Sequence, residues 1–329
     1  MQSPHRLTDG AVAVSDLSHL SEGWLLDCQY RRLSDATVHT RRLLMQKLLW
    51  WFDHVGITIC GTAELKAFLT YVSTGHEEPG GRWGNPRLSK PVRPRTVKDF
   101  HTTLRTFFRW LVEEDAIAVS PMERIRAPIS RADQIQPFSE DQVLALLGAA
   151  RRSDHPKRDE AIVLFLLDAL VRASELCHIS IEDIDLAGRT ARVYGKGGKW
   201  RQVYFGATTG RALWKMLAGA RREPQDPLFV SERGGRLTRS GLQQIIERLG
   251  LAARIEAVRC SAHTFRHTGA LLFLSQRGGA PAGNVFALQA LLGHTDLQMT
   301  RRYLQLAQAD VQAQHLVSSP VERLKRTPR

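Results

Sequence analysis

Cysteine is scarce: the chain has four, Cys28, Cys60, Cys177 and Cys260, and no two stand in a Cys-x-x-Cys pair. That scatter indicates neither a zinc site nor a disulfide framework, and buried thiols in a reducing cytoplasm are expected. Long apolar runs are missing as well. The most apolar stretch, Ala161 to Val171, is interrupted by Asp168 and too short to span a bilayer, and Met1 to Leu20 has no apolar core behind a basic start. No export and no membrane association are expected. Acid is the third shortage, since Asp plus Glu number 33 against 46 Lys plus Arg, a formal charge of +13. Such an excess suits a polyanion whose counterions are released on binding, so nucleic acid is the first candidate partner. Charge alone fits a membrane surface or ribosomal RNA equally well.

What the chain does have is helical spacing. From Thr37 to His54 the apolar positions Val38, Leu44, Leu48, Trp51 and Phe52 recur at helical intervals, with Arg41, Arg42 and Lys47 elsewhere on the wheel. Further helices are expected over Ala63 to Val72 and Thr96 to Glu114, so the first lobe reads as all-helical. Between them, Gly75 to Arg95 holds four glycines and four prolines, too many breakers for a helix or central strand. It reads as a long basic loop, either DNA-facing or only mobile. Pro121, Pro128 and Pro137 bracket a polar segment without apolar periodicity, an extended linker from Arg124 to Gln136. A second lobe follows, as 329 residues demand. Ser139 and Gln142 form a capping-box pattern ahead of Val143, and a buried helix is expected from Asp159 to Ala169. Thr190 to Tyr194 and Trp200 to Phe205 read as the strands of a hairpin, and helices then dominate.

Chemistry is concentrated in four short stretches. Arg172 opens Arg172-Ala173-Ser174-Glu175-Leu176, and Lys196 stands in Gly195-Lys196-Gly197-Gly198-Lys199. His263 and Arg266 are three apart, which places them on one face near a helix N-terminus, where the dipole favours phosphate. Gly293 reads as a helix end and precedes His294, and Thr295 with Gln298 offers a capping box for the helix expected to carry Tyr303. A phosphodiester resists attack because its oxygens repel nucleophiles and an alkoxide leaves poorly, so cleavage needs cationic clamps, a nucleophile and a proton donor. These residue types supply each. Taken singly they are weak signals: Tyr303 falls with Met299 and Leu306 on an apolar helical stripe, and an isolated arginine is most often a surface or ion-paired one.

On these motifs together the chain resembles the tyrosine recombinase family (phage integrase, Xer-like) from about residue 20 to residue 310, and is most similar to integrases carried by mobile elements. The resemblance implies a mainly α fold with a small β-sheet in the catalytic domain, arranged as a two-domain C-clamp on duplex DNA. Residues 1–20 would be a flexible N-terminus, 21–123 a helical core-binding (SAM-like) DNA-binding domain, 124–136 the linker, 137–310 the catalytic domain and 311–329 a C-terminal tail. By the same resemblance Arg172 and Arg266 clamp the scissile phosphate, His263 acts as general acid or base, and Lys196 protonates the departing 5′ oxygen. His294 bonds the phosphate, and Tyr303 is the nucleophile that forms a 3′-phosphotyrosine link without cofactor or metal. Lys199 rivals Lys196 for its role, and His267 reads as structural. The implied partners are double-stranded DNA, further copies of the chain in a tetramer on a DNA synapse, and an accessory DNA-bending protein.

Two departures from the family pattern stand out. Where Thr-Gly-Leu commonly precedes the first arginine, this chain has Ala169-Leu170-Val171, and Leu170 cannot adopt positive φ cheaply. Ala280-Pro281-Ala282-Gly283 reads as a short insertion. Three alternatives remain beside the integrase: a chromosome-dimer resolvase of the same family, a type IB topoisomerase-like nickase, and a catalytically weak DNA-binding relative. The tail from Val311, with Leu316, Val317, Val321 and Leu324, either docks on a neighbouring protomer or adds DNA affinity through Arg323, Lys325, Arg326 and Arg329.

Overall fold

Residues 10–76, 80–129, 136–195, 198–219, 222–274 and 284–293 are described by a computed structural model, which divides into two units, Met1–Asp133 and Gln134–Arg329. The expected segments 1–9, 130–135 of the linker, 280–283 and the tail 311–329 lie outside the described residues.

The first unit runs β1 (Val12–Ala13), α1 (Val14–Tyr30), α2 (Asp35–Val55), β2 (Ile59–Cys60), α3 (Thr62–Ser73), a 3-10 turn at Arg82–Gly84 and α4 (Pro94–Glu113). Helix α2 starts where Ser34 accepts a hydrogen bond from the Thr37 N–H and stops at Gly56, which takes the left-handed conformation that closes a helix cheaply. Its apolar stripe, with those of α1, α3 and α4, buries Trp24, Phe52, Phe68, Phe107 and Phe108 in one aromatic core. The expectation of a flexible N-terminus over residues 1–20 needs correcting from residue 10 onward. Val12 and Ala13 pair with Cys60 and Ile59, and Leu17 in the first turns of α1 is fully buried. No side chain caps α1, and its start follows directly on the strand that pairs with residues far along the chain, so Asp16 in the first turn is its one local start signal. Gly10, at φ 68°, packs on the Val119 carbonyl so tightly that a Cβ would come within 2.3 Å of that oxygen.

The breaker-rich loop is pinned over its described part. Arg82 is buried, and its Nη2 donates to the carbonyls of Thr74 (2.6 Å) and Lys90 (2.8 Å) on the two arms of the loop. Trp83 packs its ring on Tyr71, Phe68, Trp50 and Phe100, and its backbone N–H donates to the Tyr71 hydroxyl. The segment read as the start of the linker also packs. Ile125 is buried in the first unit's core, and its carbonyl bonds His101 Nε2 at 2.8 Å.

In the second unit α5 (Glu140–Arg151) begins at the reciprocal capping box of Ser139 and Gln142, and α6 (Pro156–Asp168) is buried. After α7 (Ala173–His178), the strands β3 (Ile184–Asp185), β4 (Thr190–Tyr194) and β5 (Trp200–Tyr204) form an antiparallel sheet in that order. The β4–β5 register pairs Thr190 with Tyr204 and Tyr194 with Trp200. Helices α8 (Ala207–Leu217), α9 (Arg239–Ala252), α10 (Ala262–Leu274) and α11 (Val285–Leu292) complete the unit. Phe165, Leu146, Val193, Val203, Phe229, Ile246 and Phe265 share its main core, and Leu170, Ala270, Leu274, Leu288 and Leu292 form a smaller one beneath α10 and α11. Among the described residues no helix is long and apolar enough to cross a membrane.

Candidate active site

Three arginines of the second unit meet at one carboxylate, Glu175. The turn after α6 leaves Arg172 as the N-cap of α7, with extended backbone, and brings Glu175 round so that its Oε2 accepts the Arg172 N–H at 2.8 Å. Glu175 Oε1 accepts from Arg172 Nη1 at 2.7 Å. The Arg172 side chain is 33 % exposed, whereas Glu175 is 1 % exposed. From α10, Arg266 reaches the same place at 3 % exposure, with Nη1 lying 4.0 Å from Glu175 Oε2. Burial alone would push the Glu175 carboxyl up. Hydrogen bonds from Arg201, from the Arg172 N–H and from the Arg172 side chain, together with the Arg201 charge, hold it below the usual carboxylate range.

The two arginines converge on one carbonyl. Arg172 Nη2 lies 3.4 Å and Arg266 Nη2 2.5 Å from the Leu292 oxygen at the C-terminal end of α11, and Arg266 Nη1 also donates to the Leu170 carbonyl. An orphan carbonyl at a helix end carries partial negative charge, which two forked guanidinium groups satisfy well. Leu170 sits at φ 51°, the left-handed conformation that L residues other than glycine adopt at a cost of roughly 1–2 kcal/mol. Its side chain fills the smaller core, and Gly269 makes room for it, since a Cβ there would come within 2.5 Å of Leu170 Cδ2 and 2.1 Å of the Leu167 carbonyl. Leu170 thus takes the left-handed conformation that a glycine would adopt without strain.

His263 lies exposed on α10 on the same helix as Arg266, while His267 is buried. Lys196, His294 and Tyr303 fall outside the described residues, as do Thr295 and Gln298. Their chain neighbours are placed. Gly195 closes the hairpin by donating to the Lys199 carbonyl at 2.9 Å, and a Cβ on it would meet Glu175 Oε1 at 3.4 Å. Lys199 is exposed. Gly293 ends α11 at φ 58° and packs on Arg201. The residues that lead into Lys196 and His294 thus both abut the Glu175 cluster.

Sequence reasoning left Glu175 and Arg201 out of the site. Glu175 stood in the quoted motif three residues after Arg172, and that spacing was its only local signal; Arg201 had none beyond being a charge at an inward strand position. No cluster of three His, Cys, Asp or Glu that could hold a metal occurs among the described residues. Burial pushes the Cys177 thiol up to about 11 and those of Cys60 and Cys260 upward, so these cysteines are poor nucleophiles at neutral pH.

Known proteins fit this architecture. The phage integrase family profile matches residues 136–310. Tyrosine recombinase XerD of Pseudomonas aeruginosa is 30 % identical over 318 residues, covering 93 % of this chain and 99 % of that protein. Tyrosine recombinase XerC of Alcanivorax borkumensis is 34 % identical over 218 residues, 64 % of this chain and 69 % of that protein. Among solved structures, the Tn1549 transposon integrase in complex with a circular intermediate DNA superposes with a TM-score of 0.66 at 18 % identity, covering 87 % of this chain and 94 % of that one. A lambda integrase dimer bound to a core site gives 0.65 at 16 % identity, over 90 % of this chain and 78 % of that one. The two structural likenesses speak to fold alone, but the profile match and the XerD relative speak to descent, and the chain belongs to the phage integrase family.

Proposed function

We propose that the chain is a site-specific DNA recombinase that cuts and rejoins duplex DNA through a 3′-phosphotyrosine on Tyr303. The observation that carries this reading is the convergence of Arg172 and Arg266, from different helices, on one point beside Glu175. A scissile phosphate offers two non-bridging oxygens to such a pair, and the forks stay charged through the reaction. Tyr303 attacks phosphorus, its phenolic proton passes to His263, and the bond to the 5′ oxygen breaks as Lys196 protonates it. His294 bonds a non-bridging oxygen. Since one phosphoester replaces another, no cofactor or metal is consumed. The test is a duplex nicked beside the cleavage position, built from the DNA flanking the gene. A covalent protein–DNA band on a denaturing gel supports the reading, and its absence with wild-type chain overturns it.

Within the family we place the chain with the integrases of mobile elements, acting in the cytoplasm as a tetramer on synapsed DNA with help from an accessory DNA-bending protein. The breaker-rich segment 75–95 and the phrase Phe286-Ala287-Leu288-Gln289 support this placement. Similarity to XerD along nearly the whole chain favours the second reading, a chromosome-dimer resolvase. Recovery of a circular DNA bearing the gene separates them. The tail 311–329 would dock on a neighbouring protomer, and truncation after Asp310 should then spare half-site binding while abolishing the cooperative complex.

A further inference from the structure

Strand β5 alternates in the ordinary way, with Trp200, Gln202 and Tyr204 outward and Val203 buried. Arg201 faces inward with Val203, at a position that such a sheet normally gives to an apolar side chain, and its side chain is only 15 % exposed. A guanidinium taken out of water needs partners for its donors. Arg201 has them on two separate elements. Its Nη2 meets Glu175 Oε2 at 2.7 Å, its Nε lies 3.5 Å from Glu175 Oε1, and its Nη1 donates to the Leu291 carbonyl at the end of α11. The stem lies on Gly293, where a Cβ would come within 2.9 Å of Arg201 Cδ and 3.1 Å of Nε. Gly293 is therefore constrained twice, by positive φ and by this contact.

We propose that Arg201 is a positioning residue for phosphodiester cleavage, joining the strand that follows the Lys196 turn to Glu175 and to the helix end that leads into His294. The inference rests on the reading of the site under Proposed function. Glu175 holds Arg172 by two bonds, so a displaced Glu175 frees Arg172 to turn; the α11 terminus holds Arg172 and Arg266 by the Leu292 oxygen, so a shifted terminus moves both. Arg201 is bonded to each of these supports. Lysine in its place could reach the carboxylate or the Leu291 carbonyl but lacks the fork to bond both.

The experiment measures single-turnover covalent-complex formation on a nicked duplex, with half-site binding measured alongside. Arg201→Gln should slow cleavage about 10- to 100-fold, the scale of a misplacement away from the reacting atoms, with half-site affinity within about twofold. Arg201→Lys should fall between Gln and wild type. Because part of the Arg201 effect runs through Glu175, the loss in the double variant with Glu175→Gln should be clearly smaller than the two single losses combined, whereas a residue that acts independently of Glu175 would give additive losses. Gly293→Ala, which pushes on Arg201 from the other side, should slow cleavage too, and it tests the contact if Arg201→Gln does not fold. Wild-type cleavage with an equally fast Arg201→Gln variant, or additive losses, overturns the inference alone. A wild-type chain that forms no covalent link overturns the functional reading and this inference with it.

Discussion

Each unit buries an arginine at 3 % exposure and holds it on main-chain carbonyls: Arg82 on Thr74 and Lys90, Arg266 on Leu170 and Leu292. The surroundings differ. Arg82 joins the two arms of one loop beside a wall of rings formed by Trp83, Tyr71 and Phe68, so its bonds shape a local segment. Arg266 joins carbonyls far apart in sequence, with Glu175 at 4.0 Å and Arg172 sharing one of its acceptors. The same buried guanidinium closes a local loop in one unit and, on the proposed reading, meets the scissile phosphate in the other.

The sharpest test removes the nucleophile. Tyr303→Phe should abolish covalent attachment while leaving DNA binding intact, because it takes away one oxygen and little volume; a retained covalent band would move the nucleophile elsewhere. Next, Arg172→Lys and Arg266→Lys should each slow cleavage by roughly two orders of magnitude, since an oriented donor to developing charge is worth ~3 kcal/mol. A lysine variant as fast as wild type would remove that arginine from the site. Arg82→Met should do the reverse, lowering the urea stability of the first unit by about 2–3 kcal/mol as two carbonyls lose their donor, with single-turnover cleavage at saturating protein unchanged. If Arg82→Met instead cuts cleavage at full stability, the contrast between the two arginines fails. Leu170→Gly relieves the turn but empties part of the smaller core, a net loss of about 1–2 kcal/mol once strain relief offsets the cavity.

The smallest effect concerns pH. Because the Glu175 carboxyl is held below its ordinary value, its contribution to stability is present above the unfolded value of about 4.3 and is lost as pH falls through the lower folded one. The thermal midpoint of wild type should therefore drop further between pH 7 and pH 3 than that of Glu175→Gln. Parallel curves would show that the carboxylate is not held charged by its arginines.

Local signals were legible. Helix α2 announces itself by apolar spacing and a terminal Gly56, α5 by Ser139 and Gln142, and the β4–β5 hairpin by residue type around its glycines. Two of the proposed site residues, His263 and Arg266, could be assigned to one helix from sequence, and the warning about positive φ at Leu170 was well founded, since the chain adopts it. What sequence withheld depends on partners distant along the chain. Helix α1 follows directly on the strand β1 that pairs with β2, Arg82 and Trp83 turn a breaker-rich loop into part of a core, and Arg201 acquires meaning only when Glu175 and α11 arrive beside it. None of these leaves a periodicity to detect.

The contact of Gly10 with Val119 has a topological consequence. Residue 10 touches the segment that follows α4, and Thr62 Oγ1 donates to the Pro121 carbonyl beside it at 2.9 Å, so the described first unit is a ring closed at a neck. Tension applied across residues 10 and 121 loads that neck, at the first residue of α3, together with the short β1–β2 pair. For the same reason the unit is suited to circular permutation, with the segment through the buried Ile125 kept and joined back to residue 10 by a linker and new ends opened at the exposed turn around Arg32.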